Sequence, residues 1–434
     1  MEWSYYNFLF KSDRFGCYLL YNSLSNVFIM LNDIQYHKVM DIKRNSDILI
    51  EDLDLKKTLI DNRILVNSNQ EEYYKLKLAK MIKRYDKTFL SLTIAPTSDC
   101  NFRCPYCFEN EPDPLYMTES IQKDLISFIR RHVEVRKLFI TWYGGEPLLA
   151  FDRIRSITNE IELMDLKFGA DIVTNGYYLE ETVINQLDNL HIRFVHVTLD
   201  GLHDVHNKRR LEKRGKDSFD KIIRNISLMN EINPSSKLII RVNIDKENIE
   251  EYHELYFFLF KNFPNAVLNV YPGFVKKSYG LCAYSERNLL SNEEQAQFVL
   301  SQYKNYHIMD NTHFLPTTSY TECLARCLNG FLVSPDGYLY KCWTDLGNKE
   351  ESVGHISNEE YRIDNLSKYM VGGDPFSDEK CRKCKFLPIC GGGCPHMRLK
   401  NIFKDAKIDL CHISKNHIHE FLELYYERYI ENRN

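Results

Sequence analysis

The sequence predicts an α/β fold: a partial, TIM-like (β/α)6 barrel between a small winged-helix-like N-terminal module and a loop-rich, cysteine-rich C-terminal domain. Three observations predict it. From Phe89 onward, short apolar strands alternate with amphipathic helical stretches through six units, the pattern of a parallel sheet. Ahead of that point strands come first and helices second. Past Glu322 the alternation stops, and eight of the 13 cysteines crowd between Cys323 and Cys411.

Each element follows in order. In residues 1–70, Phe15–Tyr21, the turn Asn22–Ser25 and Val27–Leu31 read as a β-hairpin. Asp33 caps a helix running through Met40, a second helix covers Leu53–Leu59, and Ile64–Val66 is a short strand. Residues 71–88 read as a charged helical linker. The barrel fills residues 89–315, with strands at Leu90–Ala95, Leu138–Trp142, Asp171–Thr174, Phe194–Leu199, Leu238–Ile244 and Val267–Tyr271. Helical stretches between them include Glu119–His132, Glu180–Leu190, Phe219–Asn230 and Ile249–Asn262. Residues 316–413 form the cysteine-rich domain. Residues 414–434 form a helix with an apolar stripe of Ile418, Phe421, Leu422 and Tyr425.

Composition narrows the function. A chain of 434 residues holds two or three domains and a large core without staples. Its 56 basic and 60 acidic residues give a net charge of −4, which argues against a broad nucleic-acid-binding face. The start, Met1-Glu-Trp-Ser-Tyr-Tyr6, carries no basic-then-apolar signal, and no apolar run is long enough to span a bilayer; Tyr256–Phe260 is short and flanked by charge. The expectation is a cytoplasmic protein with neither nucleic acid nor membrane as partner. Thiols stay reduced there, so the cysteines point to metal.

Cys100, Cys104 and Cys107 form a C-x₃-C-x₂-C run directly after the first barrel strand. In such barrels ligands sit at the C-terminal ends of strands. Three thiolates on one loop hold three corners of a cubane iron–sulfur cluster, which ordinarily takes four. No fourth cysteine is near, so one iron stays open to bind and reduce a ligand. Zinc is the alternative, since three thiolates plus a His or Asp close a structural site.

This run, with Tyr106 just before its last cysteine, resembles the radical S-adenosylmethionine (SAM) superfamily. Those enzymes share a partial β/α barrel whose second strand ends in Gly-Gly-Glu-Pro, and here Trp142-Tyr-Gly-Gly-Glu-Pro147 ends the second strand. The resemblance implies that Gly144, Gly145, Glu146 and Pro147 contact the amino group of SAM; open backbone and a carboxylate suit an ammonium. It places Tyr106 near the adenine, and Asn175 of Thr174-Asn-Gly176 near the ribose and methionine end. Asp200 of Leu199-Asp-Gly201 joins the cofactor-binding set, with a capping or turn role as its alternative. Arg209 is a candidate for the carboxylate of SAM.

The later cysteines run Cys323-x₃-Cys327-x₉-Gly337-x₄-Cys342, then Cys381-x₂-Cys384-x₅-Cys390-x₃-Cys394, then Cys411. This resembles the SPASM domain, which carries two auxiliary four-iron clusters. By position, Cys323, Cys327, Cys342 and Cys394 would hold the first, and Cys381, Cys384, Cys390 and Cys411 the second. The resemblance thus implies three [4Fe-4S] clusters and SAM as cofactors. A pair of zinc ribbons is the alternative. Of the two cysteines left over, Cys17 reads as a buried apolar residue and Cys282 as a loop thiol near the barrel mouth.

In this family the reduced cluster donates one electron to SAM, and the resulting 5′-deoxyadenosyl radical removes hydrogen from an unactivated carbon. The N-terminal module looks like the leader-recognition modules of ribosomal-peptide maturases, which capture an extended leader at a sheet edge. The expected activity is therefore installation of a thioether or carbon–carbon crosslink in a precursor peptide, with a one-electron reductant such as flavodoxin or ferredoxin. The competing reading is an anaerobic sulfatase-maturating enzyme that forms formylglycine. That branch places an Asp directly after the third cysteine of the first auxiliary site. Here Trp343 follows Cys342, and the nearest acid, Asp345, is the candidate base. The non-enzymatic alternative is a zinc-bearing peptide-binding adaptor.

Overall fold

The computed structural model describes residues 1–44, 52–109, 113–276, 285–308 and 314–431. The chain divides into two compact units, and neither is a single stretch of sequence.

The first unit comprises Met1–Tyr85, Asn292–Cys323 and Gly372–Asn434. Its strands are β1 (Glu2–Trp3), β2 (Asn7–Ser12), β3 (Cys17–Asn22), β4 (Val27–Leu31) and β5 (Leu65–Val66). The expected hairpin is β3–β4, with β2 added in front to make an antiparallel meander, while β1 pairs with β5. Both faces of the meander are buried. Leu20 and Leu31 pack with Val39, Leu59 and Ile64. Phe8, Phe10, Leu19, Tyr21 and Phe28 pack with Phe386, Leu422 and Tyr426, and half-buried Cys17 lies against them. Two buried faces demand apolar residues at successive positions, and so Tyr18-Leu-Leu-Tyr21 does not alternate.

Helices Asp33–Arg44, Leu53–Asp61 and Asn69–Arg84 follow, the second capped by Asp52 and the third by Ser68. The third is the segment read as a linker. It is packed, with Tyr73 and Leu76 against Tyr6, Leu24, Phe376 and Leu387. Its buried Lys80 and Arg84 both pair with buried Glu322, each at 3.3 Å, and Arg84 also reaches Asp374 at 2.7 Å. Buried charges persist only when paired in this way. Helix Asn292–Tyr306 and the closing helix Ile418–Glu431 complete the unit. Cys282 lies outside the described residues.

The second unit comprises Asp86–Ser291 and Leu324–Val371. Six strands, β6 (Phe89–Ile94), β7 (Lys137–Trp142), β8 (Lys167–Thr174), β9 (Ile192–Thr198), β10 (Lys237–Ile244) and β11 (Leu268–Phe274), lie side by side in sequence order and all parallel. This is the expected partial barrel sheet. Leu92, Ile94, Ile140, Trp142, Val195, Val197, Ile240 and Val242, on one parity of these strands, are fully buried. The helix expected over Glu180–Leu190 shortens to Glu181–Ile184. Asn185, Asp188 and Asn189 favour turns over helix, and His191 enters β9 at a φ of 55°.

Three further strands extend the sheet beyond β6. They are β12 (Gly330–Val333), parallel to β6, then β13 (Tyr338–Tyr340) and β14 (Gly354–His355), both antiparallel. They fall inside the segment read as loop-rich. At two to four residues each they are too short to show a period.

Candidate functional site

The loop carrying Cys100, Cys104 and Cys107 leaves the C-terminal end of β6, and the turn after β7 grips it. The amides of Gly145 and Glu146 donate to the carbonyls of Thr97 (3.2 Å) and Asp99 (2.7 Å). The approach is close enough to exclude side chains. A Cβ on Gly144 would stand 2.4 Å from the Thr97 carbonyl oxygen, and one on Gly145 2.2 Å from that of Asp99. Gly144 also has a φ of 104°, which favours glycine. The two glycines of the motif therefore seat the segment that leads into Cys100.

Glu146 is fully buried and caps the turn Pro147–Ala150. Its carboxylate accepts hydrogen bonds from Thr174 Oγ1 (2.6 Å), the Asn175 amide (2.7 Å) and the Leu148 amide (3.1 Å). It ties the end of β7 to the end of β8. Burial raises its pKa, and those three bonds oppose the shift. Asn175 bonds Asn101 Oδ1 at 2.7 Å and lies 3.9 Å from Cys100 Sγ. Sequence-distant Cys100, Gly145, Glu146 and Asn175 thus converge on one strand-end rim.

Tyr106 and Asp200 also meet. The Tyr106 hydroxyl donates to the buried Asp200 carboxylate and accepts from Arg210 Nη1 (2.9 Å) and Asn243 Nδ2 (3.3 Å). Burial pushes its phenol well up. Asp200 is also held by its main chain, since Asn248 Nδ2 donates to its carbonyl at 2.6 Å. The two adjacent arginines separate here. Arg209 is engaged by carboxylates: both oxygens of Asp245 (3.0 and 2.7 Å), Glu247 (3.3 Å) and Asp200 (3.5 Å). Arg210 is buried, hydrogen-bonded to Tyr106 and set over the Phe102 ring at 5.6 Å. Sequence reasoning chose Arg209 and missed Arg210; nothing in an Arg-Arg pair says which side chain turns toward the cysteines.

The three thiols are buried, and burial pushes each of them up. Cys107 reaches about 12, with the Glu109 charge adding, and Cys100 rises with help from Glu146. At Cys104 the nearby Arg210 charge opposes the rise. Thiols in such a site ionise when a bound metal supplies the compensating charge. Among the described residues the three sulfurs do not all lie within 4.8 Å of one another. A tetrahedral zinc with bonds of about 2.3 Å would draw its thiolates to about 3.8 Å apart. The donor set fits the wider cubane.

A second cysteine group lies wholly in the first unit. Cys381 sits in helix Glu379–Arg382, capped by Asp378. The Cys384 amide donates to the Cys381 carbonyl at 3.0 Å, and Cys390 ends the short helix Leu387–Cys390. Arg398 Nη2 lies 3.1 Å from Cys381 Sγ, the Gly392 amide 3.4 Å from Cys390 Sγ, and Lys415 Nζ 3.2 Å from Cys411 Sγ. Of the remaining set, Cys323 and Cys394 belong to the first unit, and Cys327 and Cys342 to the second. The buried Lys341 ammonium donates to the carbonyls of Cys327 (2.5 Å), Leu328 (3.1 Å) and Gly330 (2.7 Å), tying that turn to the strand leading into Cys342. Trp343 stacks on Tyr143 at 4.3 Å and donates to Thr93 Oγ1 at 3.1 Å. Asp345 is buried and accepts a hydrogen bond from the Tyr369 hydroxyl.

A cysteine loop seated on a Gly-Gly-Glu turn at the C-terminal rim of a parallel sheet defines an enzyme class. Residues 94–259 match the model of the radical SAM superfamily, and the chain is an enzyme carrying a radical SAM domain. It is related to the cysteine-type anaerobic sulfatase-maturating enzyme of Clostridium perfringens (strain 13 / Type A), at 24% identity over 79% of this chain and 97% of that one. The serine-type enzyme of Klebsiella aerogenes is 23% identical over 68% of this chain and 77% of its own. Two solved structures share the fold. The Clostridium-type anSMEcpe with bound AdoMet superposes at a TM-score of 0.62, with 21% identity, over 79% of this chain and 94% of that one. SuiB of Streptococcus suis, bound to its precursor peptide SuiA, superposes at 0.52, with 16% identity, over 91% and 95%.

The radical SAM domain implies one [4Fe-4S] cluster and SAM. Among the described residues, no helix is long and apolar enough to cross a membrane.

Proposed function

We propose that this enzyme is a peptide maturase that installs a thioether or carbon–carbon crosslink in a ribosomally made precursor peptide, with a one-electron reductant as partner in the cytoplasm. The observation that carries the peptide reading is coverage. The SuiB fold spans 91% of this chain, so it cannot leave out all of residues 1–85, whereas the sulfatase-maturase fold spans 79%. The β2–β3–β4 meander supports it. Among the described residues neither β2 nor β4 pairs with a further strand, and an extended leader adds to such an edge.

In this reading Cys100, Cys104 and Cys107 hold the reactive cluster, Cys381, Cys384, Cys390 and Cys411 hold one auxiliary cluster, and Cys323, Cys327, Cys342 and Cys394, on spacing alone, the other. When bound, the reactive cluster and SAM supply a 5′-deoxyadenosyl radical that removes a hydrogen atom from a substrate carbon. The protein's part is placement. Gly144 and Gly145 keep side chains out of the junction between motif and loop, and Pro147 starts the turn that Glu146 caps. The Glu146 side chain is occupied by Thr174, Asn175 and Leu148, so the SAM ammonium would meet mainly main-chain oxygens of this turn. Tyr106, with Asp200 behind it, borders the cofactor. Arg210, rather than Arg209, is the guanidinium left for the SAM carboxylate. The domain boundaries follow the same reading, with the meander module as leader binder, the (β/α)6 sheet as reactor and the C-terminal cysteines as electron carriers.

Sulfatase maturation is the second reading, favoured by the sequence relatives of both the cysteine and the serine type. Against it, Asp345 is buried under Tyr369 and does not follow Cys342 directly. Anaerobic incubation with SAM, a strong reductant and a candidate peptide decides. A crosslinked product is two hydrogens lighter, while formylglycine made from Cys loses sulfur. A colourless, zinc-containing protein that leaves SAM intact would instead be the adaptor.

A further inference from the structure

One inference rests on the reading that Cys381, Cys384, Cys390 and Cys411 hold a cluster. Three of these four sulfurs face a nitrogen donor, and two of those donors are cations: Arg398 on Cys381 at 3.1 Å and Lys415 on Cys411 at 3.2 Å. Arg398 is aimed. Its guanidinium is buried, with Nη1 on Asp378 Oδ2 at 2.6 Å, and Nη2 and Nε on the Gly392 carbonyl at 2.7 and 3.3 Å. The other Asp378 oxygen caps the helix of Cys381 through the amides of Lys380 (2.8 Å) and Cys381 (3.3 Å). Gly392 presents its carbonyl from a φ of 81°, where a Cβ would strike Pro375 at 2.1 Å. One carboxylate and one carbonyl thus hold the guanidinium edge against a sulfur. A neutral thiol gains little from a cation at that distance, while a thiolate gains a charge-assisted bond. Around Cys100 the corresponding contacts come from neutral donors, the Phe102 amide at 3.4 Å and Asn175 at 3.9 Å.

We propose that Arg398 and Lys415 raise the reduction potential of the cluster held by these four cysteines. Uptake of one electron from a reductant deepens the cluster's negative charge, and no bond forms or breaks. Fixed cations at the sulfurs stabilise the reduced form, a recognised determinant of cluster potential. Both are positioning residues and touch no substrate.

The test uses the full chain, reconstituted with iron and sulfide, with Cys100, Cys104 and Cys107 replaced by Ala to silence the reactive centre. Electron paramagnetic resonance during a potentiometric titration reads the midpoint, and the signal lost on Cys384→Ala belongs to this centre. At fixed potential, Arg398→Met is expected to lower the reduced-to-oxidised ratio about tenfold, or about 59 mV for a one-electron couple. The exposed Lys415→Met should lower it about threefold, and Lys415→Arg should keep the parent value. Unmoved midpoints in both Met variants at full iron content overturn the proposal. Should Arg398→Met fail to retain iron, an unmoved midpoint in Lys415→Met overturns it alone. Iron and sulfide content unaffected by Cys384→Ala overturns instead the ligand reading beneath it.

Discussion

Around Cys100 the decisive contacts are main chain on main chain: two amides of the β7 turn bond two carbonyls of the cysteine loop, and two glycines leave no room for a side chain. Around Cys381 they are side chains: Asp378 caps, Arg398 bridges, and Lys415 closes on the last thiol. The first arrangement fixes position and leaves a rim open to a ligand. The second surrounds its sulfurs with donors and sets their electrostatics. A centre that must admit a cofactor is built from backbone, and a centre that only exchanges charge is built from charge.

The largest expected effect breaks the first centre outright. Replacing Cys100, Cys104 and Cys107 with Ala should reduce SAM cleavage to background, read as 5′-deoxyadenosine by chromatography. Gly145→Ala comes next. Its Cβ would meet backbone atoms of Ser98 and Asp99, which cannot swing aside, and the cleavage rate should fall about 100-fold, equivalent to about 2.7 kcal/mol. The matching lesion in the second centre is Gly392→Ala, which meets the Pro375 ring and loses the left-handed turn. It should cost that centre its iron, seen in metal analysis. Glu146→Gln puts an amide where three donors already point, and should lower stability by about 2 kcal/mol in denaturant titration.

The smallest effect concerns pH. Buried His206 has its pKa held well below 6.5, by burial first and the Arg210 charge second. The folded state keeps it neutral while the unfolded chain protonates, so stability is full above about pH 6.5 and falls as pH drops below it. The slope for one proton is about 1.4 kcal/mol per pH unit. Thermal midpoints of His206→Gln between pH 7 and 5 should fall less steeply than those of the parent chain; equal slopes would show that His206 does not set this pH dependence.

Much of this was legible in the sequence, and for physical reasons. The six parallel strands were visible because each is six to eight residues long and apolar in a regular period. The Cys100 loop and the Gly-Gly-Glu turn were visible as patterns, though the glycines' contact with Thr97 and Asp99 was not. The strand β2 was hidden because burial on both faces of the meander erases alternation. The strands β12 to β14 were hidden by their shortness. Arg398 and Arg210 were hidden because a sequence does not say where a long side chain turns. The Asn69–Arg84 helix read as a linker because its charges are many; that Lys80 and Arg84 are neutralised by Glu322, some 240 positions away, has no local signature.

The discontinuity of the first unit has a consequence for biosynthesis. The meander emerges from the ribosome first, yet Phe8, Phe10 and Phe28 find their cover in Phe386, Leu422 and Tyr426, which are translated last. Through nearly the whole of translation this sheet has a greasy face and no partner. The nascent chain is therefore a client for a holding chaperone, and residues 1–85 expressed alone should aggregate rather than fold.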